Sequence, residues 1–171
     1  MAHVPADGGV PLWVPEALPG PFAEGEGPLL SRYTLLASAE TTGGALTGVS
    51  IAVPPGNGPP PHLHAGSDES FFVLEGTFEV RAGDREFVIA AGDYAFIPRG
   101  TMHSWRNTTG RAGRMLLLYT PSDMEQFFRD IGRPVRPGEK DERLTHSDVR
   151  RAEAVSRRHF GPLPGPGDTA T

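Results

Sequence analysis

Cysteine is absent from this chain of 171 residues. Its absence removes disulfides, thiolate nucleophiles, iron–sulfur clusters and Cys-type zinc sites, so any metal must be held by His, carboxylate or water. Lysine is almost absent too, Lys140 being the only one, and positive charge is in deficit overall: 16 Lys+Arg stand against 21 Asp+Glu, a formal net charge of -5. That balance argues against a chain that holds nucleic acid or an anionic membrane surface. Apolar runs approaching the ~18 residues of a membrane helix are missing. Met1–Pro21 has neither the basic start nor the apolar stretch of a signal peptide, so the expectation is a soluble, cytoplasmic protein with no membrane partner. Neither G-x-G-x-x-G nor G-K-[ST] follows a strand, which leaves nucleotide chemistry without support.

What the chain has in quantity is Gly (22) and Pro (18), gathered at turns and toward both ends. Leu, Ile, Val and Phe together lie just above the roughly 20% below which a packed core becomes doubtful, and the length suits one domain. Residues 1–30 read as a Pro/Gly-rich arm, 31–120 as a β-barrel, 121–160 as a helical extension and 161–171 as a flexible tail. Within the barrel, Tyr33–Leu36 and Leu46–Val53 predict a hairpin across Thr42-Gly43-Gly44. Short strands follow at Glu69–Leu74, Thr77–Ala82, Glu86–Ile89, Tyr94–Ile97, His103–Arg106 and Arg114–Tyr119, divided by glycine turns. Eight short strands predict an all-β sandwich or barrel. After Pro121, Ser122 and Glu125 have the spacing of a capping box ahead of a helix over about 123–131, and Ser147 is the expected N-cap of a second helix running to His159.

Histidine carries the chemistry. In His62-Leu63-His64 the two imidazoles share a face if the segment is extended, although a His-x-His in a proline-rich loop is on its own equally a solvated pair. Glu69 starts the next strand after a short reversal through Ala65-Gly66-Ser67-Asp68, and His103 opens another strand after Pro98-Arg99-Gly100. Three imidazoles and one carboxylate would form a shell with open positions for water or substrate, suited to Fe, Mn, Ni or Co. Each histidine must be neutral to ligate, so metal loss is expected as pH falls below about 6.5. Alternation turns Phe71 and Val73 the same way as Glu69, and Trp105 the same way as His103, giving either an aromatic substrate wall or simply the filling of a barrel. Arg150-Arg151 and Arg157-Arg158 read as a solvated face beside Asp148 and Glu153. His146 and His159 are expected to face water, and His3 belongs to the arm.

These residues carry a resemblance. Gly56, His62-x-His64, Glu69 and Gly76 have the spacing of the first cupin motif, and Gly92, Pro98-x-Gly100, His103 and Asn107 that of the second, with 15 residues between the two motifs. The chain is similar to cupins from Gly56 to Asn107, and more loosely from Ser31 to Tyr119. Pro59–His64, Asp68–Gly76 and Ile97–Gly100 resemble single-domain bacterial proteins of the quercetin 2,3-dioxygenase-like group. The resemblance implies a double-stranded β-helix (jelly roll) of antiparallel strands, with one divalent transition metal held by His62, His64, Glu69 and His103. It implies Glu69 as the base that deprotonates a bound hydroxyl, and a dioxygenase acting on a flavonol-like aromatic enol or phenol with dioxygen. Cupins also serve as non-redox cyclases, isomerases or lyases of polyketide pathways and as non-catalytic binding proteins, and both readings stay open. They commonly pair, so a homodimer is expected.

Overall fold

A computed structural model describes residues 10–14, 30–136, 138–140 and 143–160, the first of these segments by its backbone. Ten strands and three helices follow one another: β1 (Val10–Val14), β2 (Ser31–Ala37), α1 (Ala39–Thr42), β3 (Thr47–Val53), β4 (Asp68–Glu75), β5 (Thr77–Ala82), β6 (Arg85–Ala90), β7 (Tyr94–Ile97), β8 (His103–Asn107), β9 (Gly113–Thr120), α2 (Glu125–Ile131), β10 (Arg133–Pro134) and α3 (His146–Phe160). Two antiparallel sheets result: seven strands in the order β10-β1-β2-β3-β9-β4-β7, and three in the order β6-β5-β8. The chain is all-β in its core, with the two-sheet form of a jelly roll.

Alternation explains why the sheets face each other. In β9, Gly113, Met115, Leu117 and Tyr119 are buried while the residues between them turn outward. In β4 the inward row is Glu69, Phe71 and Val73, and in β8 it is His103, Trp105 and Asn107. A one-residue slip in either strand would send a charged or imidazole side chain to the wrong face, so the apolar residues around these polar ones hold them in register. Tyr94 and Phe96 on β7, with Phe72 and Leu74 on β4, lie exposed on the outer side.

The seven-stranded sheet extends past both expected barrel boundaries. β1, from the proline-rich arm, pairs with β2 and also with β10, placing Leu12 opposite Pro134 and Trp13 opposite Arg133. The remaining arm residues, and the tail 161–171, lie outside the described residues. Alternation gave no hint of β1 or β10, because Pro11 and Pro134 read locally as strand breakers and only pairing across the fold makes these segments extended. The β2–β3 hairpin forms as expected, with the single turn α1 filling its loop.

Both helix starts differ from expectation. Ser122 caps nothing: its hydroxyl shares a 2.8 Å hydrogen bond with Thr47, while the Glu125 carboxylate accepts from the Ala39 N–H at 2.8 Å. The tertiary partners win over the local box. In α3 the cap is Thr145, one residue before the helix and two before the expected Ser147. Its hydroxyl accepts from the Asp148 N–H at 3.2 Å, and the Asp148 carboxylate accepts from the Thr145 N–H at 2.9 Å, the reciprocal pattern that satisfies two otherwise orphaned donors. Helix α3 buries only Ala152 and Val155 fully. Near its start, Leu144 and Leu30 form a small apolar knot, separate from the main core, against which Val135 and Val149 pack.

One ion pair ties the turns that feed the site. Arg99 donates its backbone N–H and Nε to Asp68 Oδ1 (2.9 and 3.1 Å) and Nη2 to Oδ2 (2.9 Å), while Nη1 reaches the Gly66 carbonyl at 3.1 Å. These bonds from Arg99 hold the Asp68 carboxyl down at about 2, against an ordinary 3.8. A depressed carboxyl stabilises the fold above its unfolded value, and that stabilisation is lost as pH falls through the folded one. Asp68→Asn is therefore expected to melt at a lower temperature than the parent near neutrality, with the difference closing as pH is taken from 3.8 toward 2. Thermal melts across that range check it, and a difference that persists at the acid end would remove the charge as its cause.

Candidate metal centre

Two sheets and a loop contribute the cluster. Glu69 stands on β4 between Ile97 of β7 and Tyr119 of β9, and His103 opens β8 in the opposite sheet. The His62–His64 segment is not a strand: it is an extended loop after the proline run, stitched to β8 by an isolated antiparallel bridge at His62. The His62 N–H donates to the His103 carbonyl at 2.9 Å and the His103 N–H returns the bond at 2.8 Å. Pro54–Pro61 explains the difference, since prolines supply no ladder donors and only the chain beyond them can pair. The turn before His103 is pinned in the same way: the Gly100 N–H donates to the His64 carbonyl at 2.8 Å, at a φ of 78° that suits glycine.

The ligand atoms of His62, His64, Glu69 and His103 all lie within 4.8 Å of one another. Glu69 is 1% exposed, and its Oε2 accepts from Nε2 of His64 at 3.1 Å and of His103 at 2.8 Å. Burial favours the neutral acid here, but the hydrogen bonds from His103 and His64 and their charge outweigh it and hold the carboxyl well below the usual range. Glu69 is therefore an anion inside the protein. Burial pulls the His103 imidazole down, yet its hydrogen bond to Glu69 and the charge there raise it above 6.5 on balance. His62, closed in by its surroundings and repelled by His103 and His64, falls to about 3 and is neutral at any ordinary pH.

A divalent ion fits this donor set. The Nδ1 atoms of His62 and His103 sit 3.0 and 2.9 Å from the carbonyls of Pro60 and Thr101, contacts that orient the rings and leave Nε2 to face an ion. His64 Nδ1 is buried with no hydrogen-bond partner among the described residues, so that ring is oriented by Glu69 through Nε2 and by the edge-on rings of Tyr119 and Phe160. Ion binding must expel the His103 proton. Affinity is accordingly expected to fall as pH drops through the raised His103 value, so loss begins above the 6.5 anticipated from an unperturbed imidazole. Metal titrations between pH 8 and 5 test this, and an affinity flat across that range would contradict it.

His62, His64 and Glu69 face a cavity of about 70 Å3, walled otherwise by Tyr33, Leu117, Tyr119 and Trp105 from the sheets, Pro59 and Pro60 from the loop, Met124, Phe127, Phe128 and Ile131 from and beside α2, and Ala152, Ser156 and Phe160 from α3. Of the three residues expected to form the substrate wall, Trp105 lines it. Phe71 and Val73 do point inward with Glu69, but they are fully buried in the core and are not part of the cavity wall. They lie further along β4, where the barrel interior is already filled. Tyr33, Tyr119, Phe127, Phe128 and Phe160 take their place. Met124, Phe127, Phe128 and Ile131 fall on one helical stripe and Ala152, Ser156 and Phe160 recur every fourth residue, but nothing local tells a core-facing stripe from a cavity-facing one. His146 is exposed as expected, whereas His159 is not free in water: it bonds to Asp130 at 3.0 Å.

Comparison with known proteins agrees with this geometry. Residues 49–119 match the cupin domain family. The chain is 31% identical over 113 residues to quercetin 2,3-dioxygenase of Bacillus subtilis, covering 65% of this chain and 33% of that one. It is 39% identical over 62 residues to an uncharacterized protein of Aquifex aeolicus, covering 36% of this chain and 50% of that one. The chain thus spans a third to a half of the length of these curated relatives. Among solved structures, a predicted oxalate decarboxylase from Thermotoga maritima superposes with a TM-score of 0.58 at 21% identity, over 70% of this chain and 99% of that one, a likeness of fold. Two opposed antiparallel sheets, both motif spacings and the matching family model lead to one conclusion: residues 49–119 form a cupin domain with the jelly-roll fold.

Proposed function

We propose that this cupin is a metal-dependent dioxygenase acting on a flavonol-like aromatic enol or phenol. The observation that carries the reading is an ionised, buried Glu69 beside three imidazoles at the end of a cavity whose other walls are almost wholly apolar and aromatic. His62, His64, Glu69 and His103 would hold one divalent transition metal, with Fe, Mn, Ni and Co all suited to the donor set. When bound, that ion supplies Lewis acidity toward a substrate oxygen and a place for dioxygen to react. The chain does the rest. Glu69 takes the proton of the incoming hydroxyl: burial raises the carboxyl's affinity for a proton and only the hydrogen bonds from His103 and His64 and their charge lower it, so the group becomes a usable base when those imidazoles turn their Nε2 atoms away from it. Tyr119, 5.3 Å from His64 between ring centroids, Trp105 and Phe128 give the cavity apolar walls that suit an aromatic ligand and exclude water. The resemblance to the Bacillus quercetin 2,3-dioxygenase supports the substrate class.

Oxygen uptake tests it. Protein freed of metal and reloaded singly with Fe, Mn, Ni or Co is offered a panel of flavonols in an electrode cell. Uptake is expected only with both metal and flavonol, and His62→Ala should return it to background. No uptake with any ion, at confirmed occupancy, would overturn the dioxygenase and favour non-redox use of the same base and metal.

A further inference from the structure

The cavity is too small for the substrate class just proposed. Ligand pockets usually measure about 300 Å3 or more, whereas this one encloses about 70 Å3. Strands locked into ladders supply the floor, the proline loop and α2 the flanks, and the last turns of α3 the roof, where Ala152, Ser156 and Phe160 line the cavity at four-residue spacing. The Phe160 ring sits over the cluster, 5.3 Å from His64 and 6.4 Å from His62 between centroids, and leans on Phe127 at 4.8 Å. It occupies the approach to His64 that the remote part of a flat ligand would need.

Beyond the packing of Ala152, Val155 and Phe160, one acidic side chain ties the roof to α2. Asp130, on α2, accepts from His159 at 3.0 Å and pairs with Arg158 at 3.8 Å, while Gln126 donates to its other oxygen at 2.8 Å and fixes its direction. These groups are partly solvated, so the tie is weak beside a β-ladder. An element with little buried surface and a solvated fastening opens more readily than the core beneath it.

We propose that Phe160 is the gating and specificity-determining residue of this site, and that Asp130, with His159 and Arg158, is the latch that sets how often the gate opens. The inference rests on the reading that a ligand reaches the His–Glu cluster. Small ligands pass with the gate closed; flat aromatic ones enter only when the end of α3 lifts.

The absence of cysteine gives a clean test that needs neither metal nor turnover. Ala152→Cys, or Ser156→Cys if the first folds poorly, places a single thiol under the roof, and its reaction with Ellman's reagent reports opening. Labelling is expected to run well ahead of global unfolding measured on the same protein, and Asp130→Asn should speed it by about fivefold or more, the scale of a partly solvated charged contact. Labelling at the global unfolding rate would overturn the gate, and indifference to Asp130→Asn would remove the latch. For specificity, Phe160→Ala in the cobalt-loaded protein should strengthen 3-hydroxyflavone binding several-fold and leave azide binding unchanged. Equal effects on both ligands would overturn the size-selective role. Failure of the dioxygenase reading would appear as absent oxygen uptake with the labelling pattern intact, so the two outcomes are separable.

Discussion

Glu69→Gln is expected to leave a folded barrel and lower turnover by about a thousandfold, within the range of a lost general base. The exchange preserves shape and removes charge. In the parent, Oε2 accepts from two imidazole N–H groups in a site almost without solvent. An amide would present a donor to one of them and could take no proton from a bound hydroxyl. Losing the anion also removes what raises His103, so that ring should titrate lower in the variant. Metal content measured alongside the rate separates the two roles of Glu69: a variant that keeps its metal and binds substrate without turnover has lost the base, and one that comes off the column metal-free has lost a ligand. Unchanged activity would take both roles from Glu69.

Gly58→Ala should be the most damaging small change to stability. An added Cβ would lie 1.8 Å from the Trp105 carbonyl oxygen, 2.8 Å from its carbonyl carbon and 2.9 Å from Arg106 Cα, all of them backbone atoms. β8 cannot retreat, because β5 pairs with it on one side and the His62 bridge ties it on the other. Overpacking against fixed backbone is expected to cost about 3 kcal/mol or more, about 10 °C in Tm for a chain of this size. Metal affinity should fall with it, since the strained segment leads straight into His62 and Trp105 is two residues from His103. Gly110→Ala is the control: nothing lies within 4 Å of its added Cβ, and its melting temperature should stay near the parent's. A Gly58→Ala protein as stable as this control would mean that the proline loop yields freely.

The His–Glu cluster and the barrel were legible in the sequence because both rest on short-range rules. Period-two burial puts Glu69 and His103 inside, and glycine turns fix where each strand stops. What was not legible depends on partners far away in sequence. Val10–Val14 is a strand only because β2 and β10 flank it. Ser122 and Glu125 have capping-box spacing, yet Thr47 and Ala39 claim their side chains. Phe71 points inward as alternation requires, but whether an inward residue meets a cavity or a neighbour depends on how far along the barrel it sits. His159 looked like a solvated histidine because its partner, Asp130, belongs to another helix.

The knot of Leu144 and Leu30 at the start of α3 makes that helix a lever. Its near end is pinned by buried leucine, while its far end, at the close of a 15-residue helix, leans on Phe127 and is tied by the partly solvated Asp130. At 1.5 Å per residue the arm is about 22 Å long, so a tilt of about 10° at the pivot carries Phe160 through about 4 Å. A rotation small enough to leave Leu144 in place thus translates into a displacement comparable to the thickness of an aromatic ring at the mouth of the site.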